Sequence, residues 1–265
     1  MKQHAVTMSL MLITCAALGA LRAEAHFPMW MADNPMPNQG ESVRLFFGVG
    51  HPFEQYFEDA HKPERVTAIT PTGRRIDLSD QLTEAQKEFT DDGEPQSARI
   101  WEVDYTPEVS GDVIVAMDSP LLTFDSVNEA WHEFGKLILH VERQRGWQTR
   151  TGQALEFVPL TRPYGLEEGF VFRGRLMNGN QPVAGETVYL ERYNPTVPDP
   201  LPDETKITWE VVTDSHGIFT VTLPSDGWWL MAAEVRELDE IEHEGETYSY
   251  NATAVMTLHV DPKTE

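Results

Sequence analysis

Apolar and polar residues alternate along most of this chain. Between Glu41 and Val49, the residues Val43, Leu45, Phe47 and Val49 share one parity, as in a strand with one buried face. The run passes directly into Gly50-His51-Pro52-Phe53-Glu54. Glycine and proline end a strand, and His51 keeps the inward parity, so an imidazole and a carboxylate are expected together at a strand-to-loop corner. Val66–Thr70, followed by Pro71-Thr72-Gly73, reads as a strand and a turn. Residues 79–97 are polar, with Leu82, Ala85 and Phe89 at helical spacing, and predict a short helix or a loop. Arg99–Tyr105 alternates again, and the Pro107–Gly111 corner leads into the apolar run Val113–Met117. That corner argues for an Ig-like sandwich.

Further on, Gly135 separates the Phe124–Phe134 stretch, with Trp131, His132 and Glu133, from a strand Lys136–Val141 in which His140 has opposite parity to Leu139 and Val141. After Gly146-Trp147 the pattern restarts. Val171–Leu176 and Thr187–Leu190 flank a turn built on Asn178-Gly179, Thr213–Val221 followed by Pro224–Trp229 supplies another hairpin and a core strand, and Val255–Val260 closes the sheet. His216 falls in a turn, His243 in an acidic hairpin tip and His259 on a sheet face. The fold class expected is all-β, with two consecutive Ig-like or prealbumin-like β-sandwich domains. An N-terminal sandwich would span 26–146, an inter-domain segment 147–168 and a C-terminal sandwich 169–265.

The first 25 residues stand outside this pattern. Lys2, an apolar run from Ala5 to Leu21, and small residues at Ala23 and Ala25 are what a signal peptidase reads. Cleavage after Ala25 makes His26 the first residue and places the protein in the periplasm. An N-terminal histidine offers both its α-amine and its imidazole to a metal. Leu12-Ile13-Thr14-Cys15 is a loose lipoprotein box, and lipidation at Cys15 would leave His26 internal.

Composition narrows the chemistry. With 20 basic and 43 acidic side chains the formal charge is −23, which repels nucleic acid and anionic lipid and concentrates cations. Cys15 is the only cysteine, so processing after Ala25 leaves no disulfide and no thiolate ligand, and a metal site must use nitrogen and oxygen. The chain has no G-x-S-x-G, H-E-x-x-H or glycine-rich phosphate loop, so an enzyme is not expected. The remaining constellation is His26, His51 and Glu54, with His132 or His140 as a further imidazole. Strand spacing does not choose between those two. Ligand affinity order alone favours copper over nickel.

Several phrases carry a family resemblance: Ala25-His26-Phe27, Gly50-His51-Pro52-Phe53-Glu54, the Leu-Ile-Leu-His strand ending at His140, Glu156-Phe157-Val158-Pro159-Leu160-Thr161-Arg162-Pro163-Tyr164-Gly165, and Asp226-Gly227-Trp228-Trp229. The chain resembles a family of exported proteins of unknown function found as periplasmic accessory components beside nickel uptake transporters of the energy-coupling-factor type. The resemblance implies two sandwiches, nickel delivery to membrane transporter components, and histidine ligands at His26, His51 and His140. It departs between Asp118 and Phe134, where the family's aromatic, proline-rich segment is replaced by one containing His132. Two other readings are a copper carrier or copper enzyme with an N-terminal histidine brace, and a carbohydrate- or protein-binding sandwich pair without metal.

Overall fold

The computed structural model describes residues 27–91, 93–194 and 196–264; the expected cleavage site, Cys15 and His26 lie outside them. The first half comprises β1 (Phe27–Ala32), β2 (Val43–His51), β3 (Tyr56–Glu58), β4 (Arg65–Ile69), β5 (Arg75–Asp77), β6 (Thr83–Asp91), β7 (Glu94–Tyr105), β8 (Gly111–Asp118), β9 (Leu122–Phe124) and β10 (Glu129–Val141). The second comprises β11 (Leu155–Pro159), β12 (Leu166–Glu167), β13 (Phe170–Asn178), β14 (Gln181–Pro182), β15 (Thr187–Tyr193), β16 (Trp209–Val212), β17 (Ile218–Leu223), β18 (Gly227–His243) and β19 (Glu246–Asp261). The protein is all-β, as the alternation predicts. Among the described residues no helix is long and apolar enough to cross a membrane.

Three sheets form the layers. A five-stranded sheet has the order β1-β2-β7-β6 with β3 on β2, and a four-stranded sheet joins β11, β13, β14 and β17. Between them a ten-stranded sheet runs β16-β15-β18-β19-β10-β8-β4-β5, with β9 and β12 at its margins. Its middle is the parallel pairing of β10 with β19, in register from Glu129 opposite Ser249 to Lys136 opposite Met256. The central sheet therefore crosses from one half of the chain to the other. The 147–168 segment does not separate two independent sheets, and the sandwiches on either side share this one.

Burial on both faces explains the join. On β10, Phe134 and Ile138 pack towards the four-stranded sheet with Phe157, Phe172 and Phe219, while Leu137, Leu139 and Val141 pack towards the five-stranded sheet with Trp30, Leu45 and Phe47. Strands covered on both faces read as continuous apolar runs, and Val113–Met117 is buried throughout. β1 is buried at every position, FPMWMA, and is wedged between the layers. Trp30 and Ala32 join one core, whereas Phe27, Met29 and Met31 meet Leu230, Ala232 and Val255 from β18 and β19. Each such large apolar side chain contributes about 1.5–3 kcal/mol by leaving water. The Trp30 indole N–H also donates to the Val115 carbonyl at 3.1 Å.

Three local expectations change. Ser79–Gln81 form a short 3-10 helix, but residues 83–97 belong to the β6–β7 hairpin, because Ala85, Lys87 and Phe89 share a half-buried face at strand spacing. Gly135 lies inside β10 and does not precede it; a Cβ there would stand 3.1 Å from Met117 Cε and 3.3 Å from Trp30 Cβ, so the glycine admits close layer contact. β17 and β18 are consecutive but join different sheets, and so form no hairpin.

Candidate functional site

The corner after β2 is a tight hairpin. Gly50 pairs with Phe57 and His51 with Tyr56, and the Gln55 N–H donates to the Pro52 carbonyl at 3.4 Å. Gly50 has φ +147°, and a Cβ there would lie 2.1 Å from the Tyr56 carbonyl oxygen, so only glycine fits. The hairpin fixes His51 beside the Tyr56 ring, 5.9 Å between centroids.

The second half of the chain holds this loop. The Asn194 side-chain amide donates to the Phe53 carbonyl at 2.8 Å, and the Gln55 side-chain amide donates back to the Asn194 carbonyl. His51 and Glu54 consequently face β15 and the segment before β16 across an open cavity of about 1160 Å³. Six carboxylates line it, Glu54, Glu58, Asp91, Glu191, Glu204 and Glu210, together with one imidazole, and no lysine or arginine is among the described lining residues. A cleft lined by one sign of charge attracts the opposite sign, here a cation.

Glu191 is the deepest of these acids, 2% exposed on β15. Its Oε1 accepts from the Thr208 hydroxyl, and its Oε2 is buried beside the loop that carries Phe53. Burial pushes its carboxyl up to about 7, hydrogen bonds from the Thr208 hydroxyl and the Phe53 backbone N–H oppose that shift, and the negative charges of Glu54 and Glu204 add to it. No sequence motif marks Glu191. The only trace is parity: Tyr189, Glu191 and Tyr193 share the strand face opposite Val188 and Leu190, placing one acid between two aromatic residues.

The other predicted histidines lie elsewhere. His140 does not line this cavity; its Nδ1 is 2.7 Å from Asp112 Oδ1 and its ring stacks on Tyr164 at 4.0 Å and 14°. Asp112 Oδ2 also accepts from the Tyr164 hydroxyl at 3.1 Å and the Trp147 N–H at 3.2 Å. His140 thereby ties the 147–168 segment to the central sheet. Its hydrogen-bonded, stacked setting corrects the expectation that it joins His51. His132 lines a separate cavity of about 650 Å³, its Nδ1 is 3.1 Å from the Tyr250 hydroxyl, and burial lowers its pKa. Both histidines sit on β10, whose ladder neighbours are β8, β9 and β19, whereas His51 ends β2 in a different sheet. Among the described residues no three His, Cys, Asp or Glu side chains form a metal-holding group, and His26 lies outside those residues.

Glu156, in the Glu156–Gly165 stretch of the resemblance, is structural. Its buried carboxylate accepts from Lys136 Nζ at 3.2 Å, from Thr151 N–H and hydroxyl at 2.9 and 2.8 Å, and from Arg150.

No curated protein matches the sequence. Among solved structures, the chain is similar to a putative carbohydrate-binding protein from Pseudomonas aeruginosa, with 17% identity over 44% of this chain and 88% of that one and a TM-score of 0.22. The D0–D1 domain of intimin has 12% identity over 89% and 100%, with a TM-score of 0.20. A DUF4785 family protein from Legionella pneumophila has 8% identity over 87% and 56%, with a TM-score of 0.29. Residues 23–237 match the model of the family described as Domain of unknown function (DUF4198), and the chain belongs to that family.

Proposed function

We propose that this protein binds a divalent transition-metal ion, nickel by the sequence resemblance, in the periplasm and passes it to a membrane uptake transporter. It acts as a carrier and not as an enzyme. The observation that carries this reading is the cavity lined by six carboxylates and the His51 imidazole, with no lysine or arginine among its described residues. A late first-row ion suits imidazole and amine donors. His26 is the remaining donor. Phe27, its neighbour in the chain, pairs with Gly50, the neighbour of His51. Glu54 then lies against the ion or against its ligands.

Calorimetry with nickel, copper and zinc on the chain beginning at His26, on the same chain extended by one residue, and on His51→Ala tests the reading. Extension converts the amine into an amide, and His51→Ala removes an imidazole. Each is expected to weaken nickel binding tenfold or more, and acidification below the ordinary amine and imidazole range, about 8 and about 6.5, should weaken it further. Equal nickel affinities across the three proteins would remove the site. Tight copper binding with negligible nickel binding would move the function to a copper carrier.

A further inference from the structure

We infer that the cavity beside His132 binds a neutral sugar ring, with His132, Phe134 and Tyr250 against its C–H face and the Arg65–Asp118 pair bonded to its hydroxyls. This cavity is separate from the one proposed to hold the cation, so either assignment can fail without the other.

The cavity, about 650 Å³, falls within the range of small-ligand clefts. Its floor stands on strands: Thr67, Asp118, Phe134 and Tyr250 come from β4, β8, β10 and β19, successive neighbours in the central sheet. Phe134 lies directly opposite Asp118 in the β8–β10 ladder, so a ring and a carboxylate are held side by side. Residues 151–154 form a wall. Arg75 donates to the Thr151 carbonyl at 2.6 Å, and the Gln153 amide donates to Asp118 Oδ1 at 2.6 Å and to the Met117 carbonyl at 2.8 Å. Arg65 donates to Asp118 Oδ2 at 2.8 Å. A carboxylate has about four acceptor sites, so Asp118 is fixed in place with capacity left for a ligand hydroxyl.

Charge decides against an ionic ligand. Glu64, Asp77 and Asp118 are interleaved with Arg65 and Arg75, and no single sign prevails as it does in the acidic cavity at His51. Burial lowers the His132 pKa, which keeps the imidazole neutral at pH 7. His132 Nδ1 and the Tyr250 hydroxyl share one hydrogen bond at 3.1 Å. When the phenol donates, Nε2–H remains a donor and the phenolic oxygen an acceptor; when Nδ1–H donates, the phenol keeps its donor and Nε2 accepts. Either tautomer leaves the pair one donor and one acceptor, which matches a sugar hydroxyl, itself both. Around that pair, the Tyr250 ring meets His132 edge-on at 5.7 Å and 81°, and Phe134 lies 5.7 Å from His132 on the other strand position, giving apolar surface for the C–H face of a ring.

The test is calorimetry on the full chain beginning at His26 with glucose, galactose, N-acetylglucosamine, maltose and cellobiose, and with glucuronate and glucosamine as charged analogues. At least one neutral sugar should bind, more tightly than the charged analogues, and saturation-transfer NMR should place its ring C–H protons against aromatic side chains. His132→Phe and Tyr250→Phe keep a ring and remove hydrogen-bonding atoms, so each should weaken binding about fivefold or more. If either fails to fold, Arg65→Gln, at an exposed side chain, takes its place with the same loss expected. Tighter binding of the disaccharides assigns the end of a glycan, and tighter binding of the monosaccharides a free sugar. No binding of any neutral sugar, tighter binding of a charged analogue, or folded variants equal to the parent in affinity would each overturn the inference.

Discussion

The side-chain amide of Asn194 donates to the carbonyl of Phe53 at 2.8 Å, across 141 residues of chain. The loop carrying His51 and Glu54 is thus shaped by a residue at the end of β15, in the other half of the protein. Asn194→Ala should cost about 1–2 kcal/mol by leaving the carbonyl unpaired. It should also speed hydrogen exchange at residues 53–57. Unchanged exchange there would show that the hairpin holds its shape alone.

Lys136 and Glu156 form a fully buried ion pair at 3.2 Å, and Lys136 also donates to the Phe157 carbonyl at 3.0 Å. Removing one partner strands a charge. Glu156→Ala should destabilise the fold by about 3–5 kcal/mol, and the double variant Lys136→Met, Glu156→Leu by less than Glu156→Ala alone. Urea denaturation of the three proteins measures this. A double variant weaker than the single would mean that the hydrogen bonds of Thr151 and Arg150 outweigh the pair.

Glu133 on β10 has its carboxyl pushed up to about 7 by burial and then by the charge of Glu234. The folded pKa is raised above the unfolded value of about 4.5. The associated stability is therefore fully present below about pH 4.5 and lost as pH rises through about 7. Glu133→Gln should remove that slope and gain on the order of 1–2 kcal/mol at pH 8 relative to the parent. Thermal unfolding across pH 4.5–8 reads it directly; parallel curves for variant and parent would contradict the assignment.

His140 carries a structural role in this fold, against Asp112 and Tyr164. His140→Ala should lose about 1.5–3 kcal/mol of stability, the range for a hydrogen bond to a charged group. Nickel affinity should stay within twofold of the parent. A tenfold loss of affinity with unchanged Tm would instead make it a ligand.

Local pattern determined much of this protein. Alternation at Val43, Leu45, Phe47 and Val49 is enough to specify a strand with a buried face, because side chains on a pleated backbone point to opposite sides every second residue. Gly50 and Pro52 were likewise sufficient to mark the corner where His51 stands, since one lacks a Cβ and the other lacks an N–H. The unbroken run Val113–Met117 also carries a signal, that of a strand covered on both faces, which makes a shared central sheet natural.

Only the tertiary structure decided which strands meet. The parallel pairing of β10 with β19 joins residues more than a hundred positions apart, and its selection comes from many small burial energies summed over three layers. Helical spacing at Leu82, Ala85 and Phe89 lost to strand pairing for the same reason: the partner β7 offers a ladder that an isolated segment does not reveal. The site follows this division. His51 and Glu54 were legible because they adjoin a turn whose chemistry is local. Glu191 was not, because a single acid on a strand acquires meaning only when folding buries it beside Thr208 and brings the Phe53 loop over it, and His140 could be assigned to structure only once Asp112 and Tyr164 were seen to close on it.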